Sequence, residues 1–188
     1  MELIDLKALY ILELKDLYSA ENQIIKALPK MIKAATKPAL AAGFKKHLVE
    51  TKAQATRLEK ILKDLGESTR GPKCKGMEGV LSEGDEIIGE DALDEVRDAG
   101  LIAAAQRVEH YEMAGYGTAR TYARLLGYKA AAALLDKTLK EESATDKKLT
   151  LLAEKINVSA KKPTAKKKPK PQGLVAQIKE VAKELHLA

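Results

Sequence analysis

Cysteine is almost missing from this sequence: Cys74 is the single one in 188 residues. No internal disulfide can form, and Cys74 has no Cys or His near it in sequence to make a zinc site. Tryptophan is absent, phenylalanine occurs once, and aromatics make up only 4% of the chain. That scarcity weighs against a sheet, whose strands favour aromatic and β-branched residues. No apolar run reaches the roughly 18 residues that a membrane-spanning helix needs. The opening residues Met1-Glu2-Leu3-Ile4-Asp5 are acidic and already amphipathic, unlike a secretory signal. A reducing cytoplasm is therefore the expected compartment.

Alanine and leucine dominate the hydrophobic 45% of the chain, and both favour helix. The net charge of +6 is local, because residues 159–171 carry six lysines (161, 162, 166, 167, 168 and 170) and no acid. Residues 172–188 balance Lys179 and Lys183 against Glu180 and Glu184, which leaves the first 158 residues neutral. Residues 1–158 are expected to form a helical domain. Residues 159–173, with Pro163, Pro169, Pro171 and Gly173, read as a Lys/Pro-rich linker. In residues 174–188, Leu174, Ile178, Val181 and Leu185 recur at helical spacing, and a helix that short needs something to dock on. The lysines at 161–170 have two readings: non-specific, salt-dependent nucleic-acid binding, or a solubilising linker. No aromatic interrupts them, so base stacking is not indicated.

Within residues 1–158 the pattern predicts four long helices. Residues 3–35 carry an apolar stripe of Leu14, Leu17, Glu21, Ile24 and Leu28, with a kink expected at Pro29. Residues 39–65 turn Phe44, His47, Thr51, Gln54, Leu58 and Ile61 inward, and Gly66 is a natural stop. Residues 66–90 hold six glycines and read as a long crossover, with at most one helical turn around Met77, Val80 and Leu81. Asp91 is the expected N-cap of a third helix, which runs to about Leu126 and closes at Gly127. A fourth covers about 129–156 and turns Leu135, Leu139, Glu142, Asp146 and Leu149 inward. Short 1–2 and 3–4 connections around one long crossover predict an all-α four-helix bundle. Weak internal symmetry agrees, since the segment around Glu21 lies over that around Glu109, and Glu50–Leu58 lies over Glu141–Leu149.

The stretch Val108-Glu109-His110-Tyr111-Glu112-Met113-Ala114-Gly115-Tyr116 concentrates the chemistry. Ile102, Ala105, Glu109, Glu112, Tyr116 and Ala119 alternate at spacings of three and four, the stripe a helix turns to a core. A lone buried carboxylate is very unfavourable, so these glutamates need ion pairs, protons or a metal. Helix 1 adds Glu21, helix 2 His47 and Glu50, and helix 4 Glu142 and Asp146. At about 1.5 Å rise per residue, these seven can share one layer near the middle of the bundle. Carboxylate oxygen with imidazole nitrogen suits iron or manganese. His110 lies off the stripe and Glu141 reads as solvated. The tyrosines 18, 111, 116 and 122 read mainly as core, one of them able to carry a radical or hydrogen-bond a ligand.

The runs Leu14-Lys15-Asp16-Leu17-Tyr18-Ser19-Ala20-Glu21, His47-Leu48-Val49-Glu50-Thr51, Lys73-Cys74-Lys75-Gly76-Met77, Val108-Glu109-His110-Tyr111-Glu112 and Thr138-Leu139-Lys140-Glu141-Glu142 resemble the YciE/YciF-type ferritin-like family over roughly residues 3–157. The resemblance implies a rubrerythrin-related, ferritin-like four-helix bundle, a di-iron site and a stress-linked bacterial role. The wider ferritin-like pattern has Glu-x-x-His on helices 2 and 4. Here helix 2 reverses it as His47-x-x-Glu50, and helix 4 has Glu142 followed by Asp146. The expected function is oxidation at a dinuclear iron site by oxygen or peroxide. The rivals are a stress-linked scaffold whose tail binds nucleic acid, and a homodimer on whose second subunit the last helix docks.

Overall fold

Residues 3–161 are described by a computed structural model. They form five helices and, among the described residues, no strand: α1 Leu6–Ala34, α2 Pro38–Asp64, α3 Lys75–Gly89, α4 Asp94–Leu125 and α5 Lys129–Lys161. Of the linker expected at 159–173, residues 159–161 continue α5 instead, and the rest, with the helix expected at 174–188, lies outside the described residues. No described helix is long and apolar enough to cross a membrane. Helix α1 packs along α2 and α4 along α5, while α1 meets α4, α2 meets α5, and α3 lies across α4 and α1.

Local chemistry sets the ends. Asp5 caps α1 by accepting from the Ala8 amide at 2.7 Å. Pro29 stays inside α1, and Pro38 opens α2, where its missing N–H is no loss. Helices α2 and α4 stop alike. Gly66 (φ 74°) and Gly127 (φ 79°) take left-handed backbone, and the following residues bond back, Glu67 N to Leu62 O and Tyr128 N to Ala123 O.

Two expectations are corrected. The crossover is not an open connection, because α3 is a 15-residue helix. Its glycines signalled loop, but Gly76 serves close packing: a Cβ there would stand 2.6 Å from the Tyr111 ring. Fully buried Met77 pins α3 to the core. Asp91 is not the N-cap of α4, which begins at Asp94 behind Leu93. Arg97 folds back onto the Glu90 and Ala92 carbonyls, holding that connection in place of a side-chain cap.

The core divides into two apolar clusters. One holds Ile24, Leu28, Phe44, Leu101, Ile102 and Leu149; the other holds Leu14, Leu17, Leu58, Ile61, Tyr116 and Leu135. On each long helix the sequence passes from one cluster to the other through buried polar residues. These are Glu21 on α1, His47 to Gln54 on α2, Glu109 and Glu112 on α4, and Glu142 on α5. A polar layer is thus clamped between two apolar ones.

Candidate metal centre

Glu21, Glu112 and Glu142 are fully buried, Glu109 is 1% exposed and His47 4%. One donor atom each from His47, Glu109, Glu112 and Glu142 lies within 4.8 Å of the others. The helical spacing explains this: Glu109 and Glu112 share one face of α4, α5 brings Glu142 up against them, and α2 delivers His47. Glu21 joins from α1, facing Glu112 and accepting a hydrogen bond from the Tyr116 hydroxyl. Gln54 donates to Glu142 from α2. His47 Nε2 stands 3.3 Å from Glu109 Oε1, but the N–H is not aligned for a hydrogen bond.

The cluster is short of donors. Glu21 Oε2, Glu109 Oε2, both oxygens of Glu112, Glu142 Oε2 and both His47 nitrogens are buried without a hydrogen-bond partner. Among the described residues, no lysine or arginine forms an ion pair with any of these glutamates; Arg57, whose charge reaches Glu21, is committed to Glu141 at 2.6 Å. Burial pushes the Glu21, Glu109 and Glu112 carboxyls well above the usual range, and the neighbouring carboxylates add to it. Burial raises Glu142 to about 7 and lowers His47 to about 4. A carboxylate facing another carboxylate is tolerable only with a proton or a cation between them. Without metal, protons must fill that role. Four glutamates carry four negative charges when ionised, which two divalent cations balance. Oxygen donors with one neutral imidazole suit hard or borderline divalent ions. The residues present therefore fit a metal centre.

The remaining two of the seven residues stand at the rim. Glu50 is paired with Lys46, though its charge is felt at His47 and Glu142. Asp146 accepts from Gln106 at 3.1 Å and faces the exposed His110 at 3.4 Å. Glu141, read as solvated, is instead held by Arg57 through both oxygens, at 2.6 and 2.9 Å. Sequence reasoning missed Gln54 and Arg57 as partners of the site, and offered Tyr116 only as one of four tyrosines able to hydrogen-bond a ligand. Gln54 and Tyr116 lay on the inward rows, but nothing in their spacing says which carboxylate they reach. It also missed a partly buried group at the start of α3. Cys74 Sγ lies 2.9 Å from the Tyr111 hydroxyl, which donates to Asp16 at 3.1 Å.

A family model for a domain of unknown function, DUF892, matches residues 5–162, and the chain belongs to that family. Among its relatives is Protein YciF of Escherichia coli (strain K12), 46% identical over 154 residues, which span 81% of this chain and 93% of YciF. The crystal structure of that E. coli stress protein matches with a TM-score of 0.80 at 44% identity, covering 82% of this chain and 98% of its own. YcfI from Rhodopseudomonas palustris gives 0.77 at 42% identity, covering 79% and 95%. A Xanthomonas campestris protein at 19% identity, with a TM-score of 0.67 over 82% and 95%, shares the fold. The kinship read from the sequence motifs is thus established.

Proposed function

We propose that this chain is a ferritin-like stress protein in which α1, α2, α4 and α5 form a four-helix bundle around a dinuclear iron site that reacts with oxygen or peroxide. One observation carries the reading: His47, Glu109, Glu112 and Glu142 bring donor atoms within 4.8 Å of one another in the dry interior. Among the described residues no lysine or arginine forms an ion pair with these glutamates. Glu21 completes a set of four buried glutamates. The relative's description as a stress protein gives the setting in which oxidant chemistry is useful.

When bound, iron would supply one-electron redox chemistry toward oxygen or peroxide. The protein's share is positional. Tyr116 holds Glu21 and Gln54 holds Glu142, fixing two ligands before metal arrives, as partners of ligating side chains commonly do. The apolar clusters on either side exclude water, which strengthens electrostatic interactions inside. Asp146 adds negative charge felt at Glu109, while Glu50 is balanced by Lys46. Manganese competes for the same donors.

The test is anaerobic loading with ferrous iron followed by exposure to oxygen. Oxygen uptake should exceed that of the same iron in buffer, and Glu112→Gln should reduce it to the buffer level. Equal uptake by wild-type protein and buffer would refute the proposed activity.

A further inference from the structure

A cavity of about 50 Å³ runs between the long helices and reaches His47 and Glu109. Its walls are apolar: Ile24, Leu28, Met31, Phe44, Leu149 and Leu152. Its rim carries Gly43, Lys46, Glu50 and Lys148. Lys46 and Lys148 both bring a positive charge to this rim. Glu50 answers only one of these two charges, through its pair with Lys46, and nearby Glu141 is committed to Arg57. Lys148 has no carboxylate partner among the described residues. The mouth therefore repels cations and favours an anion, which makes it a poor route for ferrous ions.

Gly43 gives a second, independent indication. Glycine inside a helix is unfavourable by roughly 0.5–1 kcal/mol relative to alanine. Packing does not demand it here, since a Cβ would meet nothing within 4 Å. What a side chain at Gly43 would do is narrow the mouth.

We infer that this cavity binds a short aliphatic carboxylate, with its acid group at Lys46 and Lys148 and its chain directed toward His47 and Glu109. The volume holds roughly three to five water-sized groups, which matches a chain of butanoate to hexanoate size. The inference deepens the metal-site reading by naming the class of molecule that would lie beside it. Binding itself depends only on the cavity walls and the rim lysines.

The experiment titrates hexanoate, hexanol and hexylamine into the full-length protein by calorimetry and protein NMR, before and after treatment with chelator. Hexanoate should bind saturably in both states, with hexanol about tenfold weaker and hexylamine not binding. Gly43→Leu, which suits a helix, should abolish hexanoate binding without lowering the thermal midpoint. Lys148→Glu should weaken hexanoate about tenfold and leave hexanol unchanged. Absence of saturable hexanoate binding, equal affinity for hexanol, or binding that survives Gly43→Leu would each overturn the assignment. If no metal is found yet hexanoate binds, the metal reading fails and the pocket stands. If metal is found and hexanoate does not bind, the pocket assignment fails and the metal centre stands.

Discussion

Glu112 keeps both carboxylate oxygens in the interior without a donor, and this sets how the metal-free protein responds to pH. Its carboxyl and those of Glu21 and Glu109 are raised by burial, and Glu142 moves from an ordinary 4.5 to about 7. The folded state thus holds protons that the unfolded chain has released. The resulting stabilisation is full below about pH 4.5 and is lost as pH rises through 7 and beyond. His47, lowered from 6.5 to about 4 by burial, acts oppositely, but it is one group against four. Asp136, held down to about 2 by Lys140 and Arg120, titrates below this window. Chelated protein should therefore melt higher near pH 5 than near pH 8, as read by circular dichroism, and the reverse order would contradict a protonated cluster. Metal must displace those protons, so apparent affinity should rise with pH and calorimetry in buffers of different ionisation enthalpy should show proton release. At this scale the sequence was informative about which carboxylates are buried, because the stripe positions of Glu21, Glu109 and Glu142 place them inward. It could not say that Glu50 would turn to Lys46 or Asp146 to Gln106, since rim positions are decided by neighbours distant in sequence.

Among the elements, the turn between α1 and α2 depends on a residue from α4. Asp98 is fully buried and accepts from the Thr36 amide, the Thr36 hydroxyl and the Lys37 amide, each at 2.8 Å. Asp98→Ala would leave two backbone N–H groups without that acceptor. It should lower stability by about 2–4 kcal/mol in urea unfolding, whereas a change within experimental error would show that water replaces it. Gly76→Ala should remove about 1–3 kcal/mol by forcing the Tyr111 ring aside, checked the same way. Neither role was legible locally. Asp98 is one more acid in a charged helical turn until α1 and α2 arrive, and a glycine needed for close approach looks like a loop glycine until its neighbour is known. The long helices were readable because each carries a continuous apolar stripe, while α3 offered few buried residues and much glycine.

For the molecule as a whole, the family match ends at residue 162, so a chain ending at Lys161 should keep the metal content and thermal midpoint of the full chain. Loss of either would tie the remaining segment to the fold. The six lysines in residues 161–170 predict that the full chain retards DNA in a gel and that the truncated chain does not. The logarithmic salt slope should be no steeper than about −5; equal retardation by both chains would place any nucleic-acid site elsewhere. The architecture was visible in the sequence as apolar stripes broken at one depth by acids. That the breaks coincide in space required the packing of α1 on α2 and of α4 on α5. The most direct measurement is elemental analysis of protein purified without chelator, beside Glu109→Ala prepared identically. A dinuclear centre predicts about two divalent metal ions per chain, predominantly iron, and their loss in the variant, as expected when one of the buried carboxylates that would hold them is removed. Wild-type protein free of metal, or a variant that retains its full complement, would contradict it.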